Sequence, residues 1–263
     1  MTDQPIYHEI QLTSDLKGHC LNSTQCFSAD GKMIVYDTRN VDSALASNGE
    51  IRIFNIETLE DRLVYKTENQ TAFGPGVGAV TFSPVANRVL FLAGIRNADE
   101  SNPYSITRRT GFAVDVSNEA TQPVIGDTGQ TETVVQPNRV IRMDARDIVE
   151  PYTPGALRGG THAHTWSGDG QWVSFTYNDH VLHKAAINTP DSNGSSTTIL
   201  PQADPAHEII DTRTVGVMFP GSTQVAGADD VENINGTMFS VLVTKVVKRP
   251  KPGTDEISRA FDE

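Results

Sequence analysis

The sequence predicts an all-β fold, a β-propeller of four-stranded blades, and three observations carry that expectation. First, a short phrase recurs: an aromatic residue, a serine and a tight turn, followed by an alternating apolar strand. Its copies are Phe27-Ser-Ala-Asp-Gly31 before Met33–Tyr36, Phe82-Ser-Pro84 before Val89–Leu92, and Trp166-Ser-Gly-Asp-Gly170 before Trp172–Phe175. Second, apolar residues alternate with period two nearly everywhere, as in Ile51–Ile56, Phe112–Val116 and Met238–Val243. Third, turn residues separate these runs at short intervals, and no convincing amphipathic helix interrupts them. The nearest helical candidate is the stretch Glu256–Glu263.

Taken in order, blade one reads as four strands, Thr24–Ser28, Met33–Arg39, Glu50–Ile56 and Arg62–Thr67. The Asp-Gly pair between its first two apolar runs is a strong hairpin signal, because that turn needs positive φ at its centre. No single strand can hide its apolar face, but radial packing of successive sheets buries those faces and leaves only short edges. Gly74-Pro-Gly-Val-Gly78 leads into the inner strand of blade two. It lacks the Gly-Lys-Ser/Thr ending and the following helix of a phosphate loop, so it reads as a flexible lead-in.

The spacing sets the blade count. Phe27 and Phe82 stand 55 residues apart, Phe82 and Trp166 84, and Trp166 and Phe219, in the weaker copy Val215–Gly221, 53. A propeller blade takes about 40–45 residues, so the two shorter intervals fit one blade with loop insertions. The longest fits either two degenerate blades or one blade carrying an excursion through Thr128–Arg158. The count is four blades, or five, by residue 249, in a single domain over residues 1–263. Propellers close with roughly four to eight blades. The chain is therefore a small propeller or an incomplete one, and the second alternative predicts a reading frame that continues past Glu263.

Composition narrows the function. A net charge of −12 and a pI near 5.0 argue against a nucleic-acid binder or a binder of anionic membranes. Cys20 and Cys26, the two cysteines, read as reduced, partly buried thiols rather than a disulfide. The N-terminus shows no basic stretch followed by an apolar one, and no run approaches the roughly 18 apolar residues of a membrane span. The expectation is a cytoplasmic protein without membrane insertion.

His162 and His164 are the candidate metal ligands. Two residues apart on a strand, they should share a face about 7 Å from each other. The matching positions in the other copies are Ser23 and Gln25, and Gly78 and Val80, so only this blade places histidines there. The innermost strand of a blade begins at the central channel, where two imidazoles could share a Mn, Fe or Zn ion with a third ligand such as His19, His180, His183 or His207. The alternative reading makes them hydrogen-bonding strand residues lining a wet channel. Asp179-His180 and His183 read as turn and surface residues. Arg139, Arg142, Arg146 and Arg158 either line a pocket for an acidic sugar or, given Asp144, Asp147 and Glu150 between them, form an ordinary solvated loop. No self-sufficient catalytic motif is present and no catalytic residue is assigned, which fits propellers, whose sites are assembled from separate blades.

The hairpin phrases resemble the repeats of TolB-like, WD40-like propellers. Three longer phrases, Phe27–Arg39, Gly159–Asp179 and Pro252–Arg259, resemble more closely the uncharacterised YidR-type family of such propellers, whose members run well beyond this length and bring no established activity. A more distant resemblance is to oligogalacturonate lyase propellers, which hold a divalent metal near the channel through histidines that include a His-x-His pair. His162-Ala-His164 matches that pair, while the glutamine expected three residues before it is Gly159. Two functions follow as expectations: a scaffold that captures a protein or saccharide partner without turnover, or a metal-assisted lyase or hydrolase acting on acidic oligosaccharides with an Arg or Lys as base. A third reading is a fragment with no function alone.

Overall fold

The same turn recurs in two of the three main sheets. The structure is a computed structural model that describes residues 8–21, 23–116, 121–125, 131–135, 140–187, 213–228, 231–246 and 250–257. In it Gly31, at φ 71°, donates its N–H to the Ser28 carbonyl at 2.9 Å, while the Ser28 hydroxyl reaches Asp30. Gly170, at φ 67°, repeats this against Ser167, whose hydroxyl reaches Asp169. The positive φ explains why the phrase ends in glycine both times.

The first sheet runs β1 (Met33–Asp37), β2 (Glu50–Asn55) and β3 (Glu60–Lys66), all antiparallel. The strand expected over Thr24–Ser28 is not continuous. This lead-in pairs with β1 only through the bridges Cys20–Asp37 and Phe27–Ile34, because the chain turns at Thr24 and Gln25 in between. Cys20 and Cys26 are free thiols.

The second sheet contains β4 (Val77–Phe82), β5 (Arg88–Gly94) and β6 (Arg109–Asp115). A separate hairpin of β7 (Thr121–Ile125) and β8 (Thr131–Val135) follows, and then β9 (Val140–Arg142) returns to pair with β6. The interval from Phe82 to Trp166 is thus one sheet with an excursion. β10 (Ala145–Arg146) and β11 (Ala156–Leu157) form a short parallel pair.

The third sheet runs β12 (Gly159–Trp166), β13 (Val173–Asp179), β14 (Thr214–Thr223) and β15 (Gly236–Leu242). The phrase Val215–Gly221 lies inside β14, so it does not open a new blade: its alternation belongs to the third strand of a sheet already begun at β12. Between β13 and β14 stands a helix the sequence reading lacked, α1 (His180–Ile187). Asp179 caps it, its Oδ1 accepting the Leu182 N–H at 2.8 Å. The stretch from Glu256 contains a strand: β17 (Glu256–Ile257) pairs in parallel with β16 (Lys245–Val246), and the residues after Ile257 lie outside the described ones. Among the described residues no helix is long and apolar enough to cross a membrane.

The architecture is nearly all-β, with the second sheet packed between the other two. Val89, Phe91 and Val114 join Val35, Ile53 and Val64 in one core, while Leu90 and Ala113 join Trp166, Phe175 and Met218 in another. Burial on both faces is why Val89-Leu-Phe-Leu-Ala93 is unbroken rather than alternating with polar residues.

Gln25 ties the three sheets together. Its carbonyl accepts the Phe82 N–H at 2.6 Å, its side-chain Nε2 donates to the Trp166 carbonyl at 2.9 Å, and its Oε1 accepts the Trp166 N–H at 3.0 Å. The Thr81 hydroxyl adds a further donor to Gln25. Gln25→Ala should cost about 1–3 kcal/mol, since the Trp166 amide loses both partners. Gln25→Glu should also destabilise, because a carboxylate keeps the acceptor but loses the donor. Urea denaturation measures both; an unchanged midpoint in the alanine variant would refute this role.

Candidate functional site

A cavity of about 520 Å³ opens where the inner strands of the three sheets converge, lined by Ser23 and Thr24 of the lead-in, Ala79 of β4 and His162–Thr165 of β12. Its shape depends on two matching bulges. The β4–β5 register shifts between Gly78 and Thr81, the β12–β13 register between His162 and Thr165, and the residues inside, Ala79 and Ala163, both sit at φ 50°. Counted back from Phe82 and Trp166 these alanines hold the same place in the repeat. A bulge re-aims side chains that a regular strand would alternate.

The bulge corrects the expected geometry of the histidine pair. The strand does not run regularly from His162 to His164. His164 turns inward and is 2 % exposed, its Nε2 3.0 Å from the Thr161 hydroxyl, while His162 remains half-buried at the cavity wall. The proposed third ligands stand elsewhere: His19 lies against Asp15 and the Tyr36 ring, and His180 and His183 are on α1. His207 lies outside the described residues. Among the described residues no group of three or more His, Cys, Asp or Glu is placed to hold a metal ion.

Behind His164 runs a buried polar chain. Asp144, wholly buried, accepts the Gly111 N–H at 2.6 Å and the Thr161 hydroxyl at 3.2 Å. With the Thr161 proton directed at the carboxylate, His164 carries its hydrogen on Nε2 and donates it to Thr161. Its Nδ1 is then a buried acceptor without a partner among the described residues. Burial raises the Asp144 pKa to about 6, and burial together with the charges of His162 and Arg109 lowers that of His164 to about 3. Gly111 makes this approach possible: a Cβ there would lie 3.0 Å from His164 Nε2 and 3.1 Å from Asp144 Oδ1.

Among the described lining residues Arg109, at the start of β6, is the cation without a carboxylate partner, while the exposed Asp42, 3.9 Å from Arg39, is a carboxylate on the same cavity. Arg109 is 4 % exposed; its Nη1 donates to the Tyr104 hydroxyl at 2.9 Å, and its buried Nε and Nη2 have no partner among the described residues. Arg39 on the same wall is neutralised by Asp37, which it grips through Nε at 2.7 Å and Nη2 at 2.9 Å, and Asp37 also accepts the Ala79 N–H. The sequence reading missed Arg109. The available signal was an Arg-Arg pair at the head of an apolar strand, where one side chain had to face inward.

Two further expectations change. His180, read as a surface residue, is buried with its Nδ1 2.9 Å from the Thr107 hydroxyl, and burial followed by Arg146 lowers its pKa to about 4. The arginine cluster is not a solvated loop either. Arg146 is fully buried and bonded to Glu232, Arg158 pairs with Asp179, Arg142 faces a different cavity, and Arg139 lies outside the described residues.

These buried groups set an acid response. His164 and His180 stay neutral in the fold below the ordinary 6.5, so the unfolded chain binds protons first and stability falls as pH drops below 6.5. Asp144 acts oppositely: its folded pKa lies above 3.8, so the native state gains a proton first between about pH 6 and 4, offsetting one histidine. Urea denaturation from pH 7 to 4 should show His164→Asn losing less stability than the parent, by roughly 1.4 kcal/mol per pH unit at most, and Asp144→Asn losing more. Identical slopes in all three proteins would refute the assignment.

Residues 76–230 match the family described as "Protein of unknown function (DUF3748)". The chain is 33% identical over 254 residues to the "Uncharacterized protein YidR" of Escherichia coli (strain K12), covering 96% of this chain and 50% of that protein. It thus spans about half the length of the curated relative it matches. Among solved structures, the putative TolB from Agrobacterium tumefaciens matches with a TM-score of 0.33 and 14% identity, over 82% of this chain and 48% of that one. TolB from Acinetobacter baumannii matches with a TM-score of 0.26 and 13% identity, over 84% of this chain and 42% of the other.

Proposed function

Because the chain belongs to the family described as "Protein of unknown function (DUF3748)", we propose from its own geometry that it is a propeller-type binding module that captures a small organic anion without turnover. The three main sheets are its blades, and the ligand sits in the cavity where their inner strands meet. The observation that carries this reading is Arg109, a buried guanidinium with donors left over on the wall of a cavity of about 520 Å³. A buried charge with unmet hydrogen bonds is costly, and an oxyanion relieves that cost with two acceptors in the plane of the fork.

His164 refines the ligand. Its orientation through Thr161 and Asp144 presents an acceptor, which favours a ligand carrying a hydroxyl beside its carboxylate. An acidic saccharide has both groups.

The test is thermal denaturation and titration calorimetry with glucuronate and galacturonate against glucose. The uronates should stabilise the protein, by about 2.7 kcal/mol at a hundred times Kd, and glucose should not. Arg109→Gln should weaken uronate binding at least about tenfold, the loss of one charge-assisted hydrogen bond. Equal binding of glucose and uronates, full binding in the variant, or conversion of the sugar to product would each overturn the proposal.

A further inference from the structure

A second cavity, of about 670 Å³, lies apart from the first, between the end of β3, the strands β5 and β6, and β9. Its floor is apolar: Phe112 and Val140 line it, and Tyr65 stands beside them, its ring 5.0 Å from Phe91 and 6.3 Å from Phe112. Two arginines share it. Arg142 is half-buried on β9 and Arg96 is exposed just past β5. Neither guanidinium has a hydrogen bond or an ion pair with any described residue.

Arg39, Arg52, Arg88, Arg108, Arg146 and Arg158 are each paired with a carboxylate. The sequence has 33 acidic residues against 21 basic ones, so acids are in surplus. Yet two like charges are gathered in one cavity, and the Arg142 pKa is lowered by burial and then by Arg96. Lys66, on the same wall, reaches Glu50 at 3.6 Å. The exposed Glu68 stands at the rim without an ion pair to either arginine. Two guanidinium forks over an aromatic floor match an oxyanion joined to an apolar body, in a space of the size that ligand sites occupy.

We propose that this cavity is a second anion site, independent of the first, in which Arg96 and Arg142 together hold a carboxylate or phosphate group. The shared chemistry is an oxyanion with at least two acceptor oxygens, and inorganic phosphate and malonate separate its two sources.

The experiment is calorimetry and thermal denaturation of the full chain with phosphate or malonate, against chloride at matched ionic strength. At least one of the two should bind and raise Tm above the chloride control. Arg96→Gln/Arg142→Gln should weaken that binding at least about tenfold, and Arg96→Gln alone, a change at an exposed position, should weaken it severalfold. Arg88→Gln, which removes one positive charge elsewhere, should leave it unchanged. No response to either anion beyond chloride, or equal weakening by Arg88→Gln, would overturn the proposal.

Discussion

The structure depends on one side chain reaching two neighbouring sheets. Gln25 is where the first sheet's lead-in, β4 and β12 come together, and its primary amide both donates to and accepts from the Trp166 backbone. Its own carbonyl serves Phe82. Sheets packed by apolar side chains alone can slide over one another, because hydrophobic burial has no direction. The Gln25 bonds supply that direction and fix the depth at which the inner strands meet, and so the size of the cavity above them.

Buried carboxylates repeat the same solution farther out. Asp37 crosses from the first sheet to the Ala79 N–H on β4, and Asp144 crosses to Gly111 on β6 and Thr161 on β12. Each works because a glycine leaves room: a Cβ at Gly78 would lie 2.9 Å from Asp37 Oδ2, and one at Gly111 would meet Asp144. Charge is thereby placed in the joints between sheets, where backbone N–H groups meet it. Arg109 departs from this pattern, with more donors than acceptors around it, and that departure marks the cavity as a place for something else to bind.

Much of the fold is legible in the sequence because its signals are local. The Ser-x-Asp-Gly turns, the alternation in Ile51–Ile56 and the double-faced burial of Val89–Ala93 all depend on neighbours within a few residues. What is illegible depends on distance along the chain or on a single backbone angle. Sheet membership of Val215–Phe219 is decided by pairing with β13 across α1, and no period reports that. The bulge at Ala163 separates His162 from His164 through one positive φ on a residue that ordinarily avoids it. The helix after Asp179 was hidden for a simpler reason: eight residues are too few to show a face, and only the cap announces it.

The uneven spacing of the strands has a consequence for how the chain assembles. In the first sheet β3 follows β2 through a short turn and β2 follows β1 across residues 38–49, so its contacts are comparatively local. The second must bring β9 back to β6 across residues 116–139, and the third must bring β14 to β13 across residues 180–213. Loop closure grows costlier only by roughly 0.6 kcal/mol for each doubling of length, and the longest closures fall on these two sheets. The first sheet, with the shorter connections, is the natural template, and Gln25 lies on its flank.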